Sequence, residues 1–253
     1  MRKVMRYEDN QEHWDRRWTE AGQDADGFSD LSIYPIKYAE LVMDNPSEQA
    51  VDLGAGLGRI LKHYYNSGHN IVGLERSEIA VQQLQSEIPG SQIFAGDVRN
   101  LPFEDAQFDV ISAFGLYHNL EEDLDQALTE TRRILKPGGR FCISIHPDNF
   151  EMRINEWYWR WKQRRDRKGG LKFHKWLVGK REFSHTLSRY GMCTQKVYFA
   201  RNVSLLYRIP WLCSGSANET ERRTKGYRLN IIGRALDRML VTFFPSQFCN
   251  ALV

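Results

Sequence analysis

Cysteine is scarce in this sequence of 253 residues, and the few copies lie far apart. The four are Cys142, Cys193, Cys213 and Cys249, with no Cys-x-x-Cys pair among them. A disulfide framework or a cysteine-bound zinc ion needs cysteines at close, regular spacing, so the sequence favours neither. No other cluster of metal-ligating residues stands out, and we therefore expect no bound metal.

Long hydrophobic runs are absent as well. A membrane-spanning helix needs roughly 18 to 20 consecutive apolar residues, and no stretch of this sequence approaches that length. Residues 1–10 are charged and lack the apolar centre of a signal peptide. The sequence also has no internal repeat and no low-complexity tract. We therefore expect a globular protein that resides in the cytoplasm.

The net charge of +3 conceals an uneven distribution of charge along the chain. Residues 1–150 contain 14 Lys and Arg against 25 Asp and Glu, whereas residues 151–253 contain 21 against 7. The basic half can neutralise the acidic half within the fold. Alternatively, it can present a positive surface to phosphate, nucleic acid or an anionic membrane. The charge pattern alone leaves both interpretations open.

Between residues 49 and 145, short apolar runs alternate with stretches of helical periodicity. Strands are expected at 49–53, 70–74, 92–95, 108–113 and 141–145, and helices at 59–67, 78–87 and 124–135. Strands that alternate with helices predict a parallel sheet with right-handed crossovers. Such a sheet binds ligands at the carboxyl ends of its strands.

The chain divides into three parts around this pattern. Residues 46–146 form the predicted core, and residues 1–45 look helical. Residues 147–253 contain two insertions rich in basic and aromatic residues, which we expect to form a cap over the sheet. This part also contains two short apolar runs, at 197–200 and 248–253, that are candidates for the last strands of the sheet.

A glycine-rich turn directly after the first core strand is the strongest chemical signal. It contains Gly54, Gly56 and Gly58, and alternating glycines let the backbone turn sharply and approach a ligand closely. The helix that follows offers free N–H groups and the positive end of its dipole. A dinucleotide site would have its third glycine at the position of Arg59, so this spacing argues against one.

Acidic residues stand at the ends of the next two strands. Glu75 follows the second strand, where a carboxylate can accept hydrogen bonds from ribose hydroxyls. Asp97 and Val98 follow the third, where a carboxylate and an N–H can meet an adenine ring. Phe114 lies at the end of the fourth strand.

Together these motifs resemble the class I S-adenosylmethionine-dependent methyltransferases, and in particular the type 11 methyltransferase domain that includes quinone-biosynthesis enzymes. The resemblance covers about residues 50–145. It implies an α/β, Rossmann-like, mostly parallel seven-stranded sheet with helices on both faces, an antiparallel last strand, and an α-helical and aromatic cap. It also implies S-adenosylmethionine (SAM) as cofactor and S-adenosylhomocysteine as product.

The same resemblance assigns a cofactor-binding role to particular residues. Those implied are Asp52, Gly54, Ala55 and Gly56 for the methionine part, Glu75 for the ribose, Asp97 and Val98 for the adenine, and Phe114 beside the methionine end. Arg76, next to Glu75, is also expected to bind the cofactor. Either Trp18 or Tyr34, in the N-terminal part, is expected to close over the cofactor.

The expected reaction is an in-line attack by an O, N or C atom on the methyl group of the sulfonium, for which the protein mainly positions the reactants. A general base is needed if the nucleophile carries a proton. His118 is the first candidate, just past the fourth strand, and its alternative role is to pack or cap the next helix. Tyr117 and His146 are weaker candidates, and His174 and His185 lie in the cap.

Three functions remain open. The leading one is methylation of an O or N atom of a small, anionic or lipid-linked metabolite, with peripheral membrane contact through the basic cap. The second is RNA methylation, which the basic half favours, although the sequence has no recognisable RNA-binding module. The third is a SAM-binding regulatory protein without catalytic activity.

Overall fold

The computed structural model describes residues 1–7, 14, 19, 34–162, 170–201, 204–214 and 229–253. The strands in these ranges are β1 (Arg2–Arg6), β2 (Ala50–Leu53), β3 (Ile71–Glu75), β4 (Ile93–Ala95), β5 (Phe108–Phe114), β6 (Leu135–Ser144), β7 (Lys172–Leu177), β8 (Phe199–Ala200) and β9 (Ala251–Leu252). The helices are α1 (Ile36–Ala39), α2 (Arg59–Asn66), α3 (Glu78–Glu87), α4 (Leu124–Ile134), α5 (Phe150–Lys162), α6 (Lys180–Arg189) and α7 (Ile231–Phe243).

The centre of the fold is a five-stranded sheet in the order β4-β3-β2-β5-β6, with every neighbouring pair parallel. This confirms the predicted α/β, Rossmann-like fold. The antiparallel pair β8–β9 joins beyond β6, where Ile145 and Leu252 exchange two backbone hydrogen bonds of 3.0 and 2.9 Å. The expected antiparallel last strand is therefore β9, but the described strands do not form one continuous seven-stranded sheet, because a single bridge makes this junction.

Helices cover both faces of the sheet because its strands are apolar on both sides. Along β2, Ala50 packs with α1, α2 and α3, whereas Val51 and Leu53 pack with α4 and α6 on the opposite face. Successive side chains of a strand point to opposite faces, so this alternation divides the core into two layers. Because β2 is parallel to both β3 and β5, the carboxyl ends of these three strands meet at the same edge of the sheet.

The structure differs from the sequence prediction at the amino terminus. Helices are expected over residues 1–45, but Arg2–Arg6 form β1, which pairs antiparallel with β7. Val4 lies with Met152 and Leu177 in a small buried cluster, and this long-range contact decides the conformation. The helix prediction is therefore wrong for β1, while most of residues 8–33 lie outside the described residues.

β6 also begins earlier than expected. The Lys-Pro-Gly-Gly run at 136–139 is predicted to separate helix from strand, yet β6 starts at Leu135, directly after α4. The register with β5 shifts across this run, from Phe108 opposite Leu135 to Val110 opposite Arg140. The glycines are thus accommodated as an irregularity inside the strand.

The cap contributes α5 and α7 among its described elements. α5 buries Met152 and Glu156 on one side and exposes Trp157 and Trp161 on the other. None of the described helices is long and apolar enough to cross a membrane.

Candidate active site

The glycine turn joins the end of β2 to the start of α2. Gly54, Gly56 and Gly58 all have positive φ angles, of 70°, 55° and 76°, a region that other residues rarely adopt. The N–H groups of Gly54 and Ala55 donate to the Leu74 carbonyl oxygen at 2.8 and 3.0 Å, which ties the turn to β3. The turn is therefore held open at the strand ends by its own backbone.

Glu75 fixes the other side of this turn. One carboxylate oxygen accepts from the Gly56 N–H at 2.8 Å, and the other accepts from the N–H groups of Arg76 and Ser77 at 2.8 and 2.9 Å. These three donors hold the carboxylate at the end of β3. Each oxygen keeps further accepting capacity for a ligand hydroxyl.

Asp52 lies beneath the turn rather than at its surface. Its side chain is buried, and its Oδ1 accepts from Ser112 Oγ at 2.8 Å because the two residues are paired neighbours on β2 and β5. Burial raises the pKa of Asp52 to about 7, while hydrogen bonds from Ser112 and the Leu61 backbone oppose the rise. Since Leu61 lies in the first turn of α2, Asp52 joins the sheet to that helix.

Asp97 is held by a neighbouring arginine that the sequence interpretation overlooked. Its Oδ1 accepts from the Arg99 N–H and Nε at 2.9 Å each, and its Oδ2 accepts from an Arg99 Nη at 2.7 Å. These hydrogen bonds from Arg99 lower the pKa of Asp97. The exposed Arg76 lies 3.9 Å away and links Asp97 to the Glu75 side of the site, while Val98 is buried.

The ends of β5 and β6 continue the same edge. Ser144 Oγ accepts from the Gly115 N–H at 2.9 Å and also hydrogen-bonds the Tyr34 hydroxyl. Tyr34 packs edge-on against Phe114, with ring centroids 5.5 Å apart, so the structure brings both predicted aromatics to the site. Burial raises the pKa of Tyr34 to about 12, which keeps it a neutral phenol. Trp18 lies outside the described residues.

These contacts form one rim, which we define as residues 54–56, 75–76, 97 and 114–115. Two carboxylates, Glu75 and Asp97, stand at the ends of neighbouring strands beside the glycine turn, which is the arrangement that the resemblance implies for an adenosyl group. A Cβ added at Gly54 would lie 3.1 Å from Leu116 Cδ1, in a backbone conformation that already disfavours it.

Two histidines lie immediately beyond the rim. His118 follows β5 and His146 follows β6, and their ring centroids are 4.1 Å apart. Burial lowers the pKa of both well below the usual value, and His146 and Lys175 lower that of His118 further. His146 Nδ1 lies 2.7 Å from the Asn250 carbonyl oxygen, which only accepts, so the neutral ring carries its proton on Nδ1 and Nε2 is its basic nitrogen.

The structure does not bring Tyr117 to this position. Its hydroxyl hydrogen-bonds Thr131 Oγ1 on α4 at 2.7 Å, within the main core, and burial raises its pKa far above the usual range. Tyr117, although next to His118 in the sequence, therefore points into the core and away from the histidine pair. His174 is buried near His146, whereas His185 is exposed on α6.

A buried ionic cluster in the cap was missed by the sequence interpretation. Glu156 binds Arg6 and Lys175, although these residues are far apart in the chain. One signal was available: Glu156 occupies the apolar side of α5, one helical turn after Met152, where an unpaired carboxylate would be unfavourable.

The parallel sheet with helices on both faces and a glycine turn at its strand ends defines a Rossmann-like α/β fold. Comparison with known proteins agrees. Residues 51–143 match a family described as a methyltransferase domain. A demethylmenaquinone methyltransferase of Streptomyces avermitilis is 33% identical over 118 residues, covering 46% of this chain and 50% of that protein. A Bos taurus protein named for tRNA methylation is 31% identical over 122 residues, covering 47% of this chain and 26% of that protein.

A solved structure is similar over a longer range. The chain in a Haloferax volcanii complex of the Trm112 methyltransferase activator with a methyltransferase superposes with a TM-score of 0.63, at 20% identity, over 94% of this chain and 96% of that chain. This likeness establishes the fold. The present chain spans about half the length, or less, of the curated relatives described above.

Residues 51–143 thus match a methyltransferase domain, in agreement with the class I SAM-dependent methyltransferase domain that the motifs predict and with SAM as its cofactor. No group of metal-ligating side chains occurs in the part of the chain that the structure describes.

Proposed function

We propose that the chain transfers a methyl group from SAM to an O or N atom of a small acceptor molecule. The observation that carries this proposal is the juxtaposition of the rim and the histidine pair. The Gly115–Ser144 hydrogen bond joins the ends of the two strands at the rim, and His118 and His146 lie three and two residues further along the chain. The two neutral imidazoles are therefore the titratable rings that follow the rim on both of these strands.

The bound sulfonium would supply an activated methyl group, and residues of the chain would bind the cofactor, orient it and accept the proton of the acceptor. The glycine turn and Glu75 would orient the adenosyl group and its amino acid tail. Tyr34, which packs against Phe114, would cover the bound cofactor. The Nε2 atom of His146 would accept the acceptor's proton, with His118 packed against its ring. The lowered pKa values leave both imidazoles unprotonated at neutral pH, which is the form that a base requires, but they also make each ring a weaker base than a free histidine.

The test is release of S-adenosylhomocysteine by the full chain from SAM and panels of phenols, amines and carboxylic acids. We expect His118→Asn and His146→Asn to lower kcat by roughly 10²–10⁴-fold if each supports proton removal, with the dissociation constant of SAM unchanged. His185→Asn, at an exposed position on α6, is the matched control. SAM binding without turnover on any panel would favour the non-catalytic alternative.

A lipid-linked acceptor is supported by the outer face of α7. Ile231, Ile232 and Phe243 are 76%, 64% and 71% exposed, and the exposed Arg234 and Arg238 flank them. Exposed apolar residues beside cations favour an anionic membrane surface. Co-sedimentation with phosphatidylglycerol vesicles that is lost in Ile232→Ser/Phe243→Ser would support this acceptor class, and unchanged sedimentation would contradict it.

Methylation of RNA is the second candidate, supported by the relative named for tRNA methylation and by the basic half of the chain. It requires tRNA binding that weakens steeply with salt, because phosphate contacts release counterions. Binding of tRNA that is weak and nearly independent of salt would exclude it.

A further inference from the structure

Ser144, the last residue of β6, joins three parts of the site. Its Oγ accepts from the Gly115 N–H at 2.9 Å and also hydrogen-bonds the Tyr34 hydroxyl. Burial lowers the pKa of His118, and the Ser144 carbonyl oxygen, which accepts a hydrogen bond from that ring, opposes the shift. Ser144 itself is only 1% exposed. One buried residue thus contacts the expected cover of the cofactor, the turn after β5 and a candidate base.

The position of Ser144 in the sheet explains how it reaches these groups. It lies opposite Phe114, the residue at which β5 ends. The N–H and the carbonyl of the next residue, Ile145, both bond Leu252 on the side of β9. Successive residues of a strand direct their polar backbone groups to alternate sides, so the Ser144 carbonyl faces the side of β5. Since β5 has ended there, a side chain from the following turn takes this carbonyl, as a buried backbone acceptor requires.

The bond to Ser144 also decides which nitrogen of His118 is basic. Among the described residues, the buried Nδ1 of His118 has no hydrogen-bond partner, so the ring donates to Ser144 through Nε2. A neutral imidazole with its proton on Nε2 has its lone pair on Nδ1. A backbone carbonyl therefore fixes the tautomer of His118, just as the Asn250 carbonyl fixes that of His146.

We infer that Ser144 is a positioning residue for methyl transfer: its hydroxyl holds Tyr34 over the cofactor, and its carbonyl holds the His118 ring. The inference rests on the proposed methyl transfer. Because one strand residue holds both groups, the cover of the cofactor and the base keep a constant relative position. Reacting groups that are misplaced by about 1 Å can lose roughly a hundredfold in rate, so such a support acts on the reaction without touching it.

A neighbouring pair of hydroxyl groups provides the contrast. The hydrogen bond between Tyr117 and Thr131, 2.7 Å long, lies within the main core and joins the turn after β5 to α4. The bonds of Ser144 lie at the rim instead. Loss of the Tyr117 hydroxyl should therefore lower stability alone, whereas loss of the Ser144 hydroxyl should also change ligand binding.

Calorimetry with SAM tests the contact to Tyr34 without turnover. Ser144→Ala and Tyr34→Phe each remove one side of the same hydrogen bond, so each should weaken SAM binding by roughly three- to tenfold, as for one hydrogen bond. The double variant should bind about as well as the weaker single variant, because residues in contact do not act additively. Tyr117→Phe, the matched control, should bind SAM like the wild type. Unchanged affinity in both single variants, or losses that multiply in the double variant, would overturn the inference.

Nitrogen NMR on histidine-labelled protein tests the contact to His118. The signal of His118, identified by its loss in His118→Asn, should show the proton on Nε2. SAM should shift this signal in the wild type and in Tyr117→Phe, and shift it less in Ser144→Ala, where the link to Tyr34 is broken. A proton on Nδ1, or an equal shift in Ser144→Ala, would overturn the inference.

Turnover separates this inference from the proposed function. On any acceptor that the wild type methylates, Ser144→Ala should lower kcat by roughly tenfold or more. Wild-type kcat in this variant would overturn the positioning role and leave methyl transfer standing. Non-additive SAM binding and a shifted His118 signal, without turnover of any acceptor, would instead contradict methyl transfer and leave the coupling through Ser144 standing.

Discussion

Two buried carboxylates, one in each half of the molecule, have pKa values that are shifted in opposite directions. Asp52, under the glycine turn, meets neutral hydrogen-bond donors, and burial raises its pKa to about 7. Burial would also raise the pKa of Glu156, in the cap, but Lys175 and Arg6 together hold it at about 2. The acidic half thus stabilises its site with backbone and hydroxyl groups, and the basic half uses charge.

The two surroundings differ in the groups that face each carboxylate. On the cofactor side, N–H groups and a hydroxyl face the carboxylates of the glycine turn. In the cap, two buried cations among the described residues face a single carboxylate. The predictions below test this contrast, from the largest expected effect to the smallest.

Removing the cap carboxylate should destabilise the protein most. Glu156→Ala would leave Arg6 and Lys175 buried without their carboxylate, and breaking a buried ion pair costs about 3–5 kcal/mol of the free energy of unfolding. Urea denaturation measures this. Glu121→Ala, which breaks a half-exposed pair with Lys3, is the control and should cost roughly 0–1 kcal/mol. Equal losses of unfolding free energy in the two variants would show that the buried ion pairs of Glu156 stabilise the protein no more than an exposed pair does.

Asp52→Asn should change the pH dependence of stability. Because the folded-state pKa of Asp52 lies above its usual value of 3.8, its contribution is fully present below about pH 4 and is lost as the pH rises through 7. The largest possible loss is about 4 kcal/mol, at 1.36 kcal/mol per unit. The free energy of unfolding of Asp52→Asn should therefore change less than that of the wild type between pH 5 and 8, as urea denaturation at each pH would measure.

Asp109→Asn is the matched control for this measurement. Lys136 lowers the pKa of Asp109, so this carboxyl stays ionised across pH 5–8. Its replacement should therefore leave the slope of the unfolding free energy against pH as it is in the wild type. An Asp52→Asn protein with that same slope would show that Asp52 is not the titrating group.

Glu75→Ala should weaken SAM binding by about 1–3 kcal/mol, the range for losing a charged hydrogen-bond partner. The variant removes both the acceptor expected for the ribose and the acceptor of the Gly56 N–H. Calorimetry gives the dissociation constant directly. Glu78→Ala, exposed in the first turn of α3, should bind like the wild type; unchanged affinity in Glu75→Ala would disprove the role of Glu75.

Asp97→Ala should have the smallest effect, about 1 kcal/mol, at the lower end of the same range. Arg99 already occupies both oxygens of Asp97, so a ligand amino group must share them. The same titration measures it. A loss larger than that of Glu75→Ala would show that Arg99 moves away when the ligand binds.

The sequence predicts the cofactor side well because that side is built locally. Helix α3 begins and ends where Ser77 and the Pro89–Gly90 pair predict, and Glu75 falls nineteen residues after Gly56, to which it is hydrogen-bonded. Strand ends in a parallel sheet are neighbours by topology, so motifs at those ends meet without further information.

The ionic cluster in the cap could not be predicted in the same way. Arg6 and Glu156 are 150 residues apart, and neither lies in a motif. The pairing of β1 with β7 that brings Arg6 into the cap depends on Val4 finding an apolar partner across the fold. Similarly, Tyr117 and His118 are adjacent, and only the 3₁₀ turn at Tyr117–Asn119 decides which of them faces the site.

The central claim is that the rim binds an adenosyl sulfonium, and isothermal calorimetry on the full chain tests it most directly. We predict saturable heats with SAM and with S-adenosylhomocysteine, and none with NAD, because the third glycine of the turn stands one position too early for a dinucleotide. Folded protein that gives no heat with either adenosyl ligand, but binds NAD, would contradict the account.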